Sequence, residues 1–250
     1  VMTGALLLQA AGQNSNSSDT RALCFDGSGR YLVSGSTAES TDSDVCVLEL
    51  ERHRGVQRLR GLGTAVRKVW FSPDSRWIAA LSDEWLLGVW DAASGRLRFI
   101  FEFTTGGSAD GAGGTFNHAG DRFAFAAGTE VSLLDLNAGH VRAEWRVHAG
   151  WGYEVQFDAK GRLLFVRRES SAENPDGSTW VLYELTEGRD ATLLHHQKDT
   201  RYSVFSLAFP AAGASFLTWA AGRSTGTNLV VAVSTETGQE VWRDDTHRVA

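Results

Sequence analysis

The sequence predicts an all-β protein built from repeated four-stranded antiparallel meanders, and three observations carry that prediction. Residues 66–101, VRKVWFSPDSRWIAALSDEWLLGVWDAASGRLRFIF, hold four short apolar runs parted by the turn signals SPDS, DE and AASG. Runs of this length bounded by Pro, Gly, Asp and Ser are the pattern of adjacent antiparallel strands. A first register recurs along the chain: Phe25, Phe71, Phe116, Phe157 and Phe209 each end a first strand, and four positions later stands Gly29, Ser75, Gly120, Gly161 or Gly213. A second register puts Gly55, Gly95, Gly139, Gly188 and Gly238 in the turn after the third strand. Five residues before each of these is an apolar side chain (Leu50, Trp90, Leu134, Tyr183, Val233), and four before is Glu51, Asp91, Asp135, Glu184 or Ser234. Two registers held through five units define an internal repeat.

The Phe anchors recur about every 46 residues, inside the period of four-stranded propeller blades. One meander exposes both faces and cannot stand alone, whereas packing meanders radially buries both faces and leaves only short edges. The expected fold is therefore a β-propeller occupying residues 1–250, with blades near 20–60, 66–101, 111–146, 152–194 and 203–243. VMTG at the start of the sequence aligns with TETG at 235–238, so ALLLQ (residues 5–9) reads as the outer strand of a preceding blade. QEVWR (239–243) already completes the fifth blade, which leaves one surplus outer strand. The reading is part of a six- or seven-bladed ring, incomplete on the C-terminal side; its rival is a closed five-bladed ring with an appended strand.

The second unit, with FSPDS, a third strand ending VWD and then a turn Gly, resembles a WD-repeat blade, and similar FSPD turns occur in bacterial propellers of the translocation-protein type. The resemblance extends over all five units, though only the second carries Trp-Asp literally. The polar tetrad that the family implies is incomplete. In the second blade Trp90 matches the tetrad Trp and Glu84 stands for its Asp, but Leu62 and Ala80 replace the His and the hydroxyl. His148 matches the His in the fourth blade beside Val166 at the hydroxyl position, while Ser34 and Thr218 match the hydroxyl without a His. Packing of 9 Trp and 13 Phe is then expected to hold the blades.

Composition narrows the partner classes. A net charge of −6 and a pI near 5.6 argue against nucleic acid and anionic membranes as partners, which need clustered Lys and Arg. No apolar run approaches the roughly 18 residues that span a bilayer. Residues 4–12, GALLLQAAG, lack a basic flank and read as a strand more readily than as a secretory signal. Cys24 and Cys46 fall on the first and third strands of one unit, about 9–10 Å apart, too far for a disulfide. Two reduced, buried thiols and a cytoplasmic location are expected.

Loop length marks the functional end. The turns between first and second strands are uniformly short, whereas STAESTDSD (36–44), ESSAENPDGS (169–178) and AGRSTGTN (221–228) elaborate the connections between second and third strands. These loops and the inter-blade connections emerge at one end, the expected binding face. Where the inner strands enter from that end stand Arg21, Arg67, Trp151, Tyr153 and Phe205, with Asp83 on the short DE turn. Arg, Tyr and Trp are over-represented at interface hot spots, and WD-repeat proteins meet partners at such positions. The competing structural reading is that the aromatics cap the blade core and the Arg residues pair with neighbouring acids.

No catalytic residue, metal site or cofactor is expected. GGSADGAGG (106–114) is not followed by GK[ST], His195-His196 alternates to opposite strand faces, no GxSxG elbow exists, and the acidic loop lacks calcium-loop spacing. The expected function is a non-catalytic scaffold for a protein or peptide partner. Two alternatives stay open: a quinoprotein-like enzyme, suggested by TETGQEVW and NAGHVRAEW, and a sensory or tethering domain of a larger protein.

Overall fold

The computed structural model describes residues 20–36, 45–50, 54–103, 112–127, 130–146, 151–158, 160–171, 174–197, 202–208, 215–222, 228–234, 236–237 and 239–244. The chain divides into two compact units, residues 1–109 and 110–250. The first holds two sheets: β1 (Thr20–Phe25), β2 (Tyr31–Ser36), β3 (Val45–Glu49) and β4 (Arg54–Leu59), then β5 (Val66–Phe71), β6 (Trp77–Ser82), β7 (Leu86–Asp91) and β8 (Leu97–Glu102). The second holds three: β9 (Gly113–Phe116), β10 (Arg122–Ala127), β11 (Glu130–Asp135) and β12 (His140–Arg146); β13 (Trp151–Phe157), β14 (Leu163–Ser171), β15 (Asn174–Leu185) and β16 (Thr192–Gln197); β17 (Tyr202–Ala208), β18 (Ser215–Gly222), β19 (Asn228–Ser234) and β20 (Glu240–Asp244). Every sheet is a four-stranded antiparallel meander in sequence order, as the turn signals predicted. The surplus strand expected at residues 5–9 lies outside the described residues.

The first turns share one mechanism. In the four described first turns the side chain directly after the anchor Phe accepts a backbone N–H at or just before the start of the next strand: Asp26 Oδ1 from Tyr31 (2.8 Å), Ser72 Oγ from Trp77 (2.9 Å), Asn117 Oδ1 from Arg122 (2.9 Å) and Asp158 Oδ1 from Arg162 (2.8 Å). Such side chains imitate a backbone turn. The small residue of the first register is then left-handed, φ +72° at Gly29 and +58° at Ser75, which explains why Gly recurs there. Ser75 bears the left-handed cost of roughly 1–2 kcal/mol for an L-residue, and its Oγ offsets this by donating to Asp26 Oδ2 at 2.9 Å. Ser75→Ala keeps the cost and loses the bond. We expect it to be less stable than Ser75→Gly by about 1 kcal/mol in urea denaturation, and equal stabilities would refute this account.

In blades two, three and five the second turn is capped by the residue that ends the third strand. Asp91 Oδ1 accepts from Ser94 N and Oγ (2.8 and 2.6 Å), Asp135 Oδ1 from Asn137 N and Ala138 N (3.0 and 2.9 Å), and Ser234 Oγ from Glu236 N and Thr237 N (both 3.2 Å). The Ser94 bonds hold the Asp91 carboxyl below its usual range, and the Ala138 N–H leads the same effect at Asp135.

Two parts of the sequence register need correction. Cross-strand pairing sets Glu49, Asp91, Asp135, Leu185 and Ser234 opposite the first residue of each second strand. Glu49 thus replaces Glu51, and Leu185 replaces Glu184; Gly55 lies inside β4 rather than in a turn. The loop expected at 169–178 is largely the extended hairpin of β14 and β15, with Glu169 opposite Thr179 and Ser170 opposite Ser178. A register shift between Ser170 and Ser171 accommodates Pro175, which has no N–H to give a ladder.

Each unit buries a core between successive sheets. In the first, Val33, Val45, Val47 and Leu59 meet Val66, Val69, Ile78, Ala80 and Trp90. In the second, Ala124, Ala126, Val131, Leu133 and Trp145 meet Val155, Leu163, Phe165 and Leu185. The Leu62 and Ala80 that displace the family's polar tetrad are buried in or beside Trp90's core, and Trp90 Nε1 donates instead to the backbone carbonyl of Arg60 at 3.0 Å. A main-chain acceptor has taken the place of a hydroxyl. Neither cysteine is in a disulfide; Cys46 is buried but Cys24 is only half-buried, which corrects the expectation of two buried thiols. Desolvation raises the Cys24 thiol pKa.

Candidate partner-binding face

Strand entry at the loop-rich end shows a feature that composition alone does not reveal. The ladder between first and second strands shifts register between Thr20 and Ala22, between Val66 and Lys68, between Trp151 and Tyr153, and between Val204 and Ser206. The residues left out of the ladder are Arg21, Arg67, Gly152 and Phe205. Three of the six predicted contact residues therefore sit on bulges, and Trp151 and Tyr153 flank the fourth. Bulges bend a strand and re-aim a side chain, and they gather at functional edges.

Blade two shows this arrangement at side-chain level. Asp83 N donates to the Ala65 carbonyl at 2.9 Å and closes the β5–β6 ladder. This closure brings together two predicted residues sixteen positions apart: Arg67 Nε donates to Asp83 Oδ1. Pairing with a neighbouring acid was the competing reading for Arg67, and in blade two that pairing is present. The pair is partly exposed, so its net contribution to stability is about 0–1 kcal/mol. The side chains of Arg21, Trp151, Tyr153 and Phe205 lie outside what the structure describes, as do residues 37–44 and 223–227 of the long loops.

The same turn contains a residue that sequence inspection missed. Trp85 has φ +63°, a conformation rare for a bulky L-residue. Its N–H donates to the Ser82 carbonyl (3.3 Å) and its carbonyl accepts from Phe103 N (3.1 Å), which hold it there. Strained residues of this kind cluster at binding sites and switches. The DEW sequence gave no warning, because a left-handed position is normally announced by Gly or Asn.

The opposite end is not featureless. A cavity of about 350 Å³ lies between blades one and two, lined by Tyr31, Glu49, Gln57, Phe71 and Ser75 among others. Another of about 370 Å³ occupies the equivalent seam between blades three and four, beside Arg122, Trp145, Phe157 and Glu187. The turns there are short in sequence, so nothing marked these hollows. In the second, Arg122 Nη1 donates to Glu187 Oε1 (3.1 Å) and Arg162 Nη2 to Asp158 Oδ2 (2.8 Å), so the charged walls are mutually paired. Among the described residues no three His, Cys, Asp or Glu side chains converge as a metal site, and no helix is long and apolar enough to cross a membrane.

No family model matches the sequence, and no curated protein does. Solved structures do. The C-terminal WD40 domain of Sif2 matches with a TM-score of 0.69 at 13% identity, over 94% of this chain and 60% of that one. Hydrazine synthase of Kuenenia stuttgartiensis matches with a TM-score of 0.69 at 11% identity, over 96% of this chain and 69% of that one. At these identities the likeness establishes fold and nothing chemical. The fold is that of a β-propeller, as in the WD40 domain it matches, and the chain spans 60% of that domain's length.

Proposed function

We propose that the protein is a non-catalytic scaffold that binds a protein or peptide on the loop-rich face of its propeller. The observation that carries this reading is the recurrent bulge at the entry of the inner strand, with Arg21, Arg67 and Phe205 on it and Trp151 and Tyr153 beside it. Short turns capped at the other end hold the blades in place, while variable loops at this end are free to differ from blade to blade. Arg and aromatic side chains suit a contact that buries flat apolar surface and satisfies carboxylates or carbonyls.

The experiment is capture of partners from lysate by wild type and by the triple variant Arg67→Ala/Trp151→Ala/Tyr153→Ala. Loss of capture with an unchanged melting temperature is the expected result, and retained capture would sink the proposal. The enzymatic reading rests on the two turns TETGQEVW and NAGHVRAEW alone. Protein reconstituted with quinone and Ca²⁺ that shows no bound chromophore would remove it.

A further inference from the structure

We propose that the cavity between blades one and two is a binding site for a guanidinium group, carried by a free ligand or by an arginine of a peptide. It lies at the end opposite the loop-rich face and is independent of the reading above. Its volume of about 350 Å³ falls in the range of small-ligand sites. Tyr31, Glu49 and Gln57 line it from blade one, and Phe71, Ala92 and Ala93 from blade two. Two aromatic rings thus stand with one carboxylate, and among the described lining residues only Glu49 carries a charge. An aromatic face attracts a cation, and a carboxylate accepts from the planar donor fork of a guanidinium. The same wall already holds such a group. Arg30 donates Nε and Nη2 to Glu49 Oε1 (3.0 and 2.5 Å), and its guanidinium carbon lies 5.4 Å from the centre of the Tyr31 ring. The Arg30 side chain is 38% exposed, so it can yield its place to a ligand. It is an internal competitor for the site.

The repeat shows why this seam is open to a ligand. The seam between blades three and four has its own cavity, but there the chain supplies both partners. Cross-strand pairing makes Arg122 the counterpart of Tyr31 and Trp145 the counterpart of Leu59. Thr186 and Glu187 follow Leu185 as Ala92 and Ala93 follow Asp91. Glu187 accepts from Arg122 Nη1 (3.1 Å) and Arg142 Nε (2.7 Å), and Trp145 Nε1 donates to the carbonyls of Thr186 (3.3 Å) and Arg189 (3.1 Å). Guanidinium and carboxylate therefore meet across that seam within one chain. Between blades one and two, Ala93 and Leu59 have no polar side-chain atom with which to make either contact. Blade one presents the carboxylate of Glu49, while blade two lines the cavity without a cationic side chain. A ligand guanidinium completes the pair: its stem lies against Phe71 and Ala92, its donors reach Glu49, and the Gln57 amide offers a further acceptor.

The test titrates the full chain with acetyl-arginine amide, n-butylguanidinium and the neutral acetyl-citrulline amide, read from the backbone amide NMR signals of Ala92 and Ala93. The two guanidinium compounds are expected to shift these signals saturably. The citrulline compound should bind about tenfold more weakly, the ratio for losing one charge-assisted hydrogen bond. Arg30→Ala removes the competitor and tightens guanidinium binding, and Arg30→Met, which keeps the stem, does the same should Arg30→Ala fail to fold. Adding Glu49→Gln to either variant weakens binding about tenfold. An ion pair that only braced the wall would give the opposite sign at Arg30. Tighter binding of the arginine amide than of n-butylguanidinium points to an arginine in a peptide, and equal or weaker binding to a free ligand, each in support of the site. No saturable shift in the Arg30 variants, equal binding of the citrulline compound, or weaker binding without Arg30 would each overturn the proposal.

Discussion

Trp90→Ala lowers the free energy of unfolding by about 3–5 kcal/mol, the range for deleting a large buried aromatic, and Gly88→Ala lowers it by about 1–3 kcal/mol through overpacking. The two residues form one device. Trp90 is fully buried, and its ring lies so close over Gly88 that a Cβ there would meet Cη2 at 2.3 Å. Trp90→Phe keeps most of the apolar area but loses the bond to the Arg60 carbonyl and leaves that acceptor unmet, for a cost of about 1–3 kcal/mol. The smaller ring also vacates the space over residue 88. Gly88→Ala should therefore be much less harmful in the Trp90→Phe background than in wild type, a coupling read from a double-mutant cycle in urea. Additive effects would show that ring and glycine do not share the space.

Asp26→Asn destabilises the protein by about 1.5–3 kcal/mol near neutral pH, the range for hydrogen bonds to a charged group. Asp26 is buried and accepts from Ser28 N and Oγ (3.3 and 2.5 Å), Tyr31 N (2.8 Å) and Ser75 Oγ (2.9 Å). Burial opposes the charge, but these donors together outweigh it and hold the carboxyl below its usual range. A depressed folded-state pKa means that the stabilisation is fully present above the unfolded value, about 3.9, and is lost as pH falls through the folded value. The gap between wild type and Asp26→Asn should be constant from pH 7 to about 5 and shrink below about 4. A gap unchanged down to pH 3 would contradict the carboxylate's role.

Both devices show where sequence reasoning reaches and where it stops. The meanders were readable because their turns are local: an anchor Phe, a polar acceptor after it and a small left-handed residue all lie within five positions. Even so, the acceptor itself, Asp26, Ser72, Asn117 or Asp158, passed unnoticed although its side-chain type repeats in four of five units. The second register failed in blades one and four because it depends on pairing across strands, and Gly55 inside β4 looks the same in sequence as a glycine in a turn. Replacement of the tetrad hydroxyl by the Arg60 carbonyl had no signal at all, since every residue carries a carbonyl. At the candidate face, Arg67 and Asp83 were each singled out, yet their mutual contact needed the β5–β6 register. The bulges that unite Arg21, Arg67 and Phe205 are likewise a property of two strands at once.

The sequential order of strands in every sheet bears on how the chain reaches this structure. A meander asks each strand to find only the strand just made, so loops close over a few residues and the hairpins form in microseconds. Low sequence separation within a blade favours early structure, while contacts across a seam, such as Ser75 with Asp26 at 49 residues' distance, must await two finished sheets. Blades are thus units of kinetics as well as of architecture. A chain built this way can emerge from synthesis one blade at a time, and within each unit a later sheet docks on the apolar face left by the one before it.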